Sequence, residues 1–282
     1  MAISLRSVGL HVSVAGGLAR AEARALEAGC SALQIFPSNP RGWALPNPDT
    51  TAEAKLADAC AQRGWPLFVH APYLVNLASP DPVVHERSRA NLSFALARSA
   101  RLGARAVVVH AGSAVGTDRD EARRRAASAI QALLDEHAGI DLAIELTAGG
   151  GERSLARSIP DAAEMLAACG DDERVGVCID TCHLWAAGLD WTTSAGLARL
   201  RREVRELGPD RILVVHVNDS HDPFGSSRDH HANLGDGRIG VEPFGPFVRA
   251  REWRHAPLVL ETPGTDERRA HDVDIVRSLL GE

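Results

Sequence analysis

The sequence predicts an α/β fold, a single closed (β/α)8 TIM barrel over residues 1–282, on three observations. Short apolar, β-branched runs recur eight times, stretches of helical period lie between them, and the alternation fits the roughly 250 residues usual for such a barrel. A doubly wound open sheet is the competing arrangement, but no G-x-G-x-x-G opens a helix after the first strand. No linker, low-complexity tract or repeat beyond the alternation divides the chain, so one domain is the simplest organisation.

Taken in order, the first two strands are "VGLHVS" (8–13) and "ALQIFP" (32–37), and the helical "TAEAKLADACAQRG" follows the second. "PLFVHAP" (66–72) leads into "HERSRANLSFALARSARLGAR", and "AVVVHAG" (106–112) into "EARRRAASAIQALLDEHAG". Apolar residues at helical spacing and a glycine near the end mark these stretches as helices. "LAIELT" (142–147), "VGVCID" (175–180), "ILVVHVN" (212–218) and "PLVLETP" (257–263) complete the eight strands.

Composition narrows the functional classes. A 45% hydrophobic and 24% charged chain with no apolar run of bilayer length reads as a soluble globular protein without a membrane role. The start, "MAISLRSVGLHVS", lacks the plan of a signal peptide, which points to the cytoplasm. Five cysteines, Cys30, Cys60, Cys169, Cys178 and Cys182, form no C-x-x-C pair and read as reduced and buried. A net charge of −6 gives no overall basic footprint, leaving room only for a local positive groove. Lys55 is the only lysine and sits in a helical pattern, which excludes Schiff-base and pyridoxal chemistry.

Seven strands close on a residue able to bind metal: His11, His70, His110, Glu145, Asp180, His216 and Glu261. In a (β/α)8 barrel these carboxyl ends meet on the face that carries active sites. So many ionisable groups on one mouth are costly to desolvate unless they neutralise cations. "DTCH" adds His183 to Asp180, and "DHH" adds Asp229 and His231 at a spacing that points both the same way in an extended loop. His70, His110, His183, His216, His231, Glu145, Asp180, Asp229 and Glu261 make nine ligands, enough for three ions if one carboxylate bridges. Imidazole and carboxylate without thiolate suit Zn2+, with Mn2+ or Fe2+ as alternatives. His11 has no ligand partner close in sequence and reads as an outer support, while His85, His137, His221, His255 and His271 read as structural or surface groups. "NLGDGRIG" reads either as a phosphate cradle or as a plain loop.

The ordered set "HVSVAGG", "IFPSNPRGW", "HAPYLVNLASP", "VVHAG", "IELTAGG", "DTCHLWAAG", "HVNDS", "RDHHANLG" and "LETPG" resembles the endonuclease IV family of apurinic/apyrimidinic endonucleases along almost the whole chain. The resemblance implies a trinuclear zinc centre that cuts double-stranded DNA 5′ to an abasic site, leaves a 3′-hydroxyl and trims blocked 3′ ends. By the same resemblance, His70, His110 and Glu145 hold one zinc, and Glu145 bridges to a second held by Asp180, His216 and Glu261. His183, Asp229 and His231 hold the third. Glu145 and Glu261 are then the catalytic carboxylates. Arg41, Tyr73 and Leu74 enter the duplex. The expected protein is a cytoplasmic monomer that meets the nucleoid when acting. Two departures from the family pattern sit beside ligands: His230 stands where an arginine is common, and Leu146 where an asparagine is. They bear on DNA grip and ligand orientation more than on metal binding. Two other readings are a divalent-metal sugar isomerase or epimerase of the same barrel superfamily, and a non-enzymatic damage-binding or metal-storing protein.

Overall fold

The computed structural model describes residues 6–149 and 151–282. Residues 1–5 of the opening stretch from which the cytoplasm was expected, and Gly150 of "IELTAGG", lie outside the described residues. The chain runs β1 (Val8–His11), α1 (Leu18–Glu27), β2 (Ala32–Ile35), α2 (Thr50–Arg63), β3 (Leu67–His70), α3 (Pro82–Leu102) and β4 (Ala106–His110). It continues through α4 (Arg119–Glu136), β5 (Asp141–Glu145), α5 (Ile159–Ala168), β6 (Val175–Asp180), α6 (Thr181–Ala186), α7 (Ser194–Leu207) and β7 (Ile212–His216). β8 (Asp219–Ser220), β9 (His231–Ala232), α8 (Phe244–Val248), β10 (Leu258–Leu260) and α9 (Asp266–Leu280) follow.

Eight parallel strands close in the order β1-β10-β7-β6-β5-β4-β3-β2, so every barrel strand lies beside its neighbour in sequence and β10 seals the ring against β1. The expected barrel is therefore present. Several strands are shorter at their carboxyl ends than the apolar runs suggested, because those residues turn into the loops of the functional face. One element was not foreseen: β8 and β9 form a small antiparallel ribbon outside the barrel.

Local chemistry starts the helices where the sequence allows. Asp49, Asp81, Asp118, Ser158, Thr193 and Thr265 each accept a backbone N–H at a helix N-terminus, and Gly64 and Gly103 end α2 and α3 in the left-handed conformation. Among the described residues, no helix is long and apolar enough to cross a membrane.

Two apolar clusters result from strand alternation. Phe68, Ala106, Val108, Ala143, Cys178, Val214 and Val259 belong to one, which fills the barrel interior, while residues of the opposite parity, such as Val69, Val107, Val109 and Ile144, join the helices in the other. This parity places the functional site. His70, His110, Glu145, Asp180, His216 and Glu261 lie two residues beyond Phe68, Val108, Ala143, Cys178, Val214 and Val259, so they form the next layer up inside the barrel.

Candidate metal centre

Register keeps that layer level. His110 pairs with Glu145 across β4 and β5, and Asp180 with His216 across β6 and β7. His183 comes from α6, whose first turn is capped by Asp180: its Oδ1 accepts the His183 N–H at 2.8 Å. Asp229 and His231 arrive from the loop between β8 and β9 and from β9 itself.

Three sets of imidazole and carboxylate atoms, each without a cysteine, lie within 4.8 Å of one another: His70, His110 and Glu145; Glu145, Asp180, His216 and Glu261; and His183, Asp229 and His231. Glu145 belongs to two of them and is fully buried. Its Oε2 meets His70 Nε2 at 2.9 Å and His110 Nε2 at 3.2 Å, while its Oε1 meets the Nδ1 of both His183 and His216 at 3.2 Å. Cys178 and Cys182 stand beside these groups, but burial pushes both thiols up to about 12, so they pack as neutral residues.

Main-chain carbonyls fix the imidazoles. His70 Nδ1 donates to Ala71 O at 2.7 Å and His183 Nδ1 to Leu146 O at 2.9 Å, which leaves each Nε2 free to ligate. Position 146 therefore orients a ligand through its carbonyl, and the Leu146 side chain simply packs in the core.

Electrostatically, the cluster is poised for cations. Burial disfavours charge on Glu145, yet the imidazoles of His216 and His110 hold its carboxyl well below the usual range. Glu261 is held low by His216 and His11 against the same burial. For His231, burial opposes a proton, but Asp180 and Asp229 push its pKa up to about 9. In the metal-free chain, protons on imidazole thus balance buried carboxylates, a task divalent ions would take over. The donors fit such ions. His183 Nε2 and His231 Nε2 lie 3.0 and 3.1 Å from Asp229 Oδ1, yet both are buried nitrogens without a hydrogen-bond partner. Three polar atoms facing one point without hydrogen-bond geometry could hold a divalent ion.

An outer layer carries residues that sequence reasoning passed over. Asn218 donates to Asp180 Oδ2 at 2.7 Å and accepts the Glu261 N–H at 2.8 Å, tying two ligands together. Gln34 on β2 touches both His216 and Glu261. The signal that could have found it is parity, since Gln34 is a buried polar residue on a strand whose neighbours are all apolar. His11 was read as a support and does hydrogen-bond Glu261 Oε1, at 2.6 Å. The "NLGDGRIG" loop is not an open phosphate cradle: the N–H groups of Gly235, Gly237, Ile239 and Gly240 all point at the Asp219 carboxylate.

Above the ligands lies a cavity of about 580 Å³ whose wall includes Arg41, Tyr73, His230 and also His221, which the sequence suggested only as a loop residue. Two adjoining hollows of about 330 and 560 Å³ share Tyr73 as a wall, so the three form one trough around that ring. Tyr73 is 49% exposed and Leu74 36%, and neither is buried as a barrel cap. Tyr73 packs edge-on against Phe36 and His70, at centroid distances of 5.2 and 5.8 Å. His230 is exposed and its Nδ1 lies 2.8 Å from Asp222 Oδ2.

The family described as the xylose isomerase-like TIM barrel matches residues 23–279. A probable endonuclease 4 from Streptomyces avermitilis is 39% identical, covering 98% of this chain and 91% of that one. Endonuclease IV from Thermus thermophilus superposes with a TM-score of 0.84 at 33% identity, over 98% of this chain and 99% of the other. A D-tagatose 3-epimerase-like protein, 18% identical with a TM-score of 0.70 over 97% of each chain, shares the fold. Identity above 30% over nearly the full length, on a barrel whose mouth gathers these histidines and carboxylates, makes this chain a member of the endonuclease IV family.

Proposed function

We propose that this chain is a metal-dependent abasic-site endonuclease of base excision repair, hydrolysing the phosphodiester 5′ to an apurinic/apyrimidinic site to leave a 3′-hydroxyl, and trimming blocked 3′ ends by the same attack. The observation that carries this reading is the meeting of three His/carboxylate clusters at the floor of one trough, in a chain of this family. Three Zn2+ ions suit the donors: His70 and His110 with Glu145 for one, Glu145, Asp180, His216 and Glu261 for the next, and His183, Asp229 and His231 for the third. When bound, such ions lower the pKa of water and take up charge on a phosphate.

The remaining steps belong to the chain. Glu145 and Glu261 set the charge at the reacting phosphate. Arg41, exposed at the rim, meets the DNA backbone, with His230 on the opposite loop. Tyr73 and Leu74 fill the space left by the missing base, since an abasic nucleotide is cheap to extrude and an exposed ring restores stacking. Lys55 lies exposed on α2, and proton shuttling by lysine, as a sugar epimerase could use, has no support from it. All nine ligands come from one chain, which supports a monomer built as a single barrel domain over residues 1–282. Five free, buried cysteines suit the reducing cytoplasm, where the nucleoid supplies the substrate. Turnover on a duplex with one defined abasic site, with elemental analysis of the same sample, tests the whole reading. Intact duplex alongside about three ions per chain would refute the activity, and a single ion would refute the trinuclear centre.

A further inference from the structure

Gln34 is fully buried at the same level as the ligand layer, on β2 opposite His11. β2 supplies no ligand, yet its Gln34 reaches two of them. Its Oε1 lies 3.0 Å from His216 Nε2 and its Nε2 donates to Glu261 Oε1 at 2.7 Å. These two bonds determine each other. The amide nitrogen can only donate, so the oxygen must accept, and His216 must therefore carry its proton on Nε2.

In the neutral ring that a metal requires, this assignment leaves the lone pair of His216 on Nδ1, the nitrogen that faces Glu145 Oε1 at 3.2 Å and Glu261 Oε2 at 3.3 Å. Glu261 is sorted in the same way. Its Oε1 is taken by Gln34 and by His11 Nδ1 at 2.6 Å, so Oε2 is the oxygen left to face the shared point. We propose that Gln34 is a positioning residue for the paired metal site, selecting the ligating nitrogen of His216 and the ligating oxygen of Glu261 through one rigid amide. Main-chain carbonyls do this for His70 and His183, whereas His216 depends on a side chain. The inference rests on the reading that these clusters hold divalent ions.

Two variants test it. Gln34→Met keeps the volume and removes both bonds, while Gln34→Glu keeps the acceptor for His216 and sets a carboxylate against Glu261. Each is purified with zinc, dialysed against graded chelator and analysed for zinc per chain, and the metal-free melting temperature is recorded. Loss of an outer partner of a metal ligand costs roughly 10–100-fold in affinity. Gln34→Met should therefore release one class of zinc at a correspondingly lower chelator concentration, with the metal-free melting temperature close to that of the parent. Gln34→Glu should also release that zinc at a lower chelator concentration than the parent, because a carboxylate cannot donate to Glu261 Oε1 and sets like charge against it. Parental zinc retention in either variant overturns the proposal, as does a fall in metal-free stability that accounts for the whole loss. A parent that holds zinc yet leaves abasic duplex intact refutes the endonuclease reading and leaves the role of Gln34 standing. A parent that holds no zinc refutes both.

Discussion

Glu145 offers its two oxygens to different neighbours, Oε2 to His70 and His110 and Oε1 to His183 and His216. Replacing one oxygen by an amide group puts a donor where the proposed bridge needs a ligand. Glu145→Gln should thus lose more activity than the roughly 10–100-fold that follows loss of an outer partner, together with bound metal, while circular dichroism shows an intact barrel. A variant that keeps most of its rate would place the bridge on another residue. The DNA-side role proposed for Tyr73 is tested separately. Stacking of an aromatic ring on a base is worth about 1–3 kcal/mol, so Tyr73→Ala should slow incision of an abasic duplex about 5- to 150-fold. Hydrolysis of a small chromogenic phosphodiester should be spared, and equal losses on both substrates would assign the ring to packing.

Among the elements, the ribbon of β8 and β9 delivers Asp229 and His231, and one buried carboxylate secures it. Asp219 gathers N–H groups from four residues of the loop that follows β9, and a Cβ on Gly237 would stand 2.3 Å from its Oδ1. Asp219→Asn turns acceptors into a donor at that nest, and leaving buried amides unpaired costs about 1–3 kcal/mol. A melting temperature lower by roughly 2–10 °C is expected, with weakened zinc binding at the His183–Asp229–His231 set. An unchanged melting curve would show that the loop holds itself. The strands themselves were legible, because a metal ligand at the end of an apolar run is conspicuous and parity places it inside the barrel. The ribbon was not, since two-residue strands carry no readable alternation. Gln34 and Asn218 escaped for a different reason: Gln34 and its partner His216 are 182 residues apart, and although Gln34 stands out as the one polar residue of its strand, nothing in the sequence shows which groups either residue would support.

For the whole molecule, a bound metal would compete with protons for the same nitrogens. His231 is pushed up to about 9 in the metal-free chain by Asp180 and Asp229, despite burial, and His183 and His216 also lie well above the ordinary value of 6.5. A raised pKa stabilises the fold fully below the unfolded value, and that contribution fades as pH climbs through the folded one. Chelator-stripped protein should therefore melt lower at pH 9.5 than at pH 6.5, and zinc should reverse the difference. A melting temperature independent of pH over this window would mean that the imidazoles are already neutral without metal. β10 has a consequence of another kind. It closes the ring between β1 and β7 and carries Glu261 just past its end, after the strands that carry Glu145, Asp180 and His216. A chain growing on the ribosome has Glu145, Asp180 and His216 in place before that strand emerges, with the barrel still open along one seam. If Glu261 completes the paired site as proposed, that site cannot form until β10 slots in, so a product terminated before this strand would be born without a working nuclease centre and would carry no cutting activity toward the chromosome.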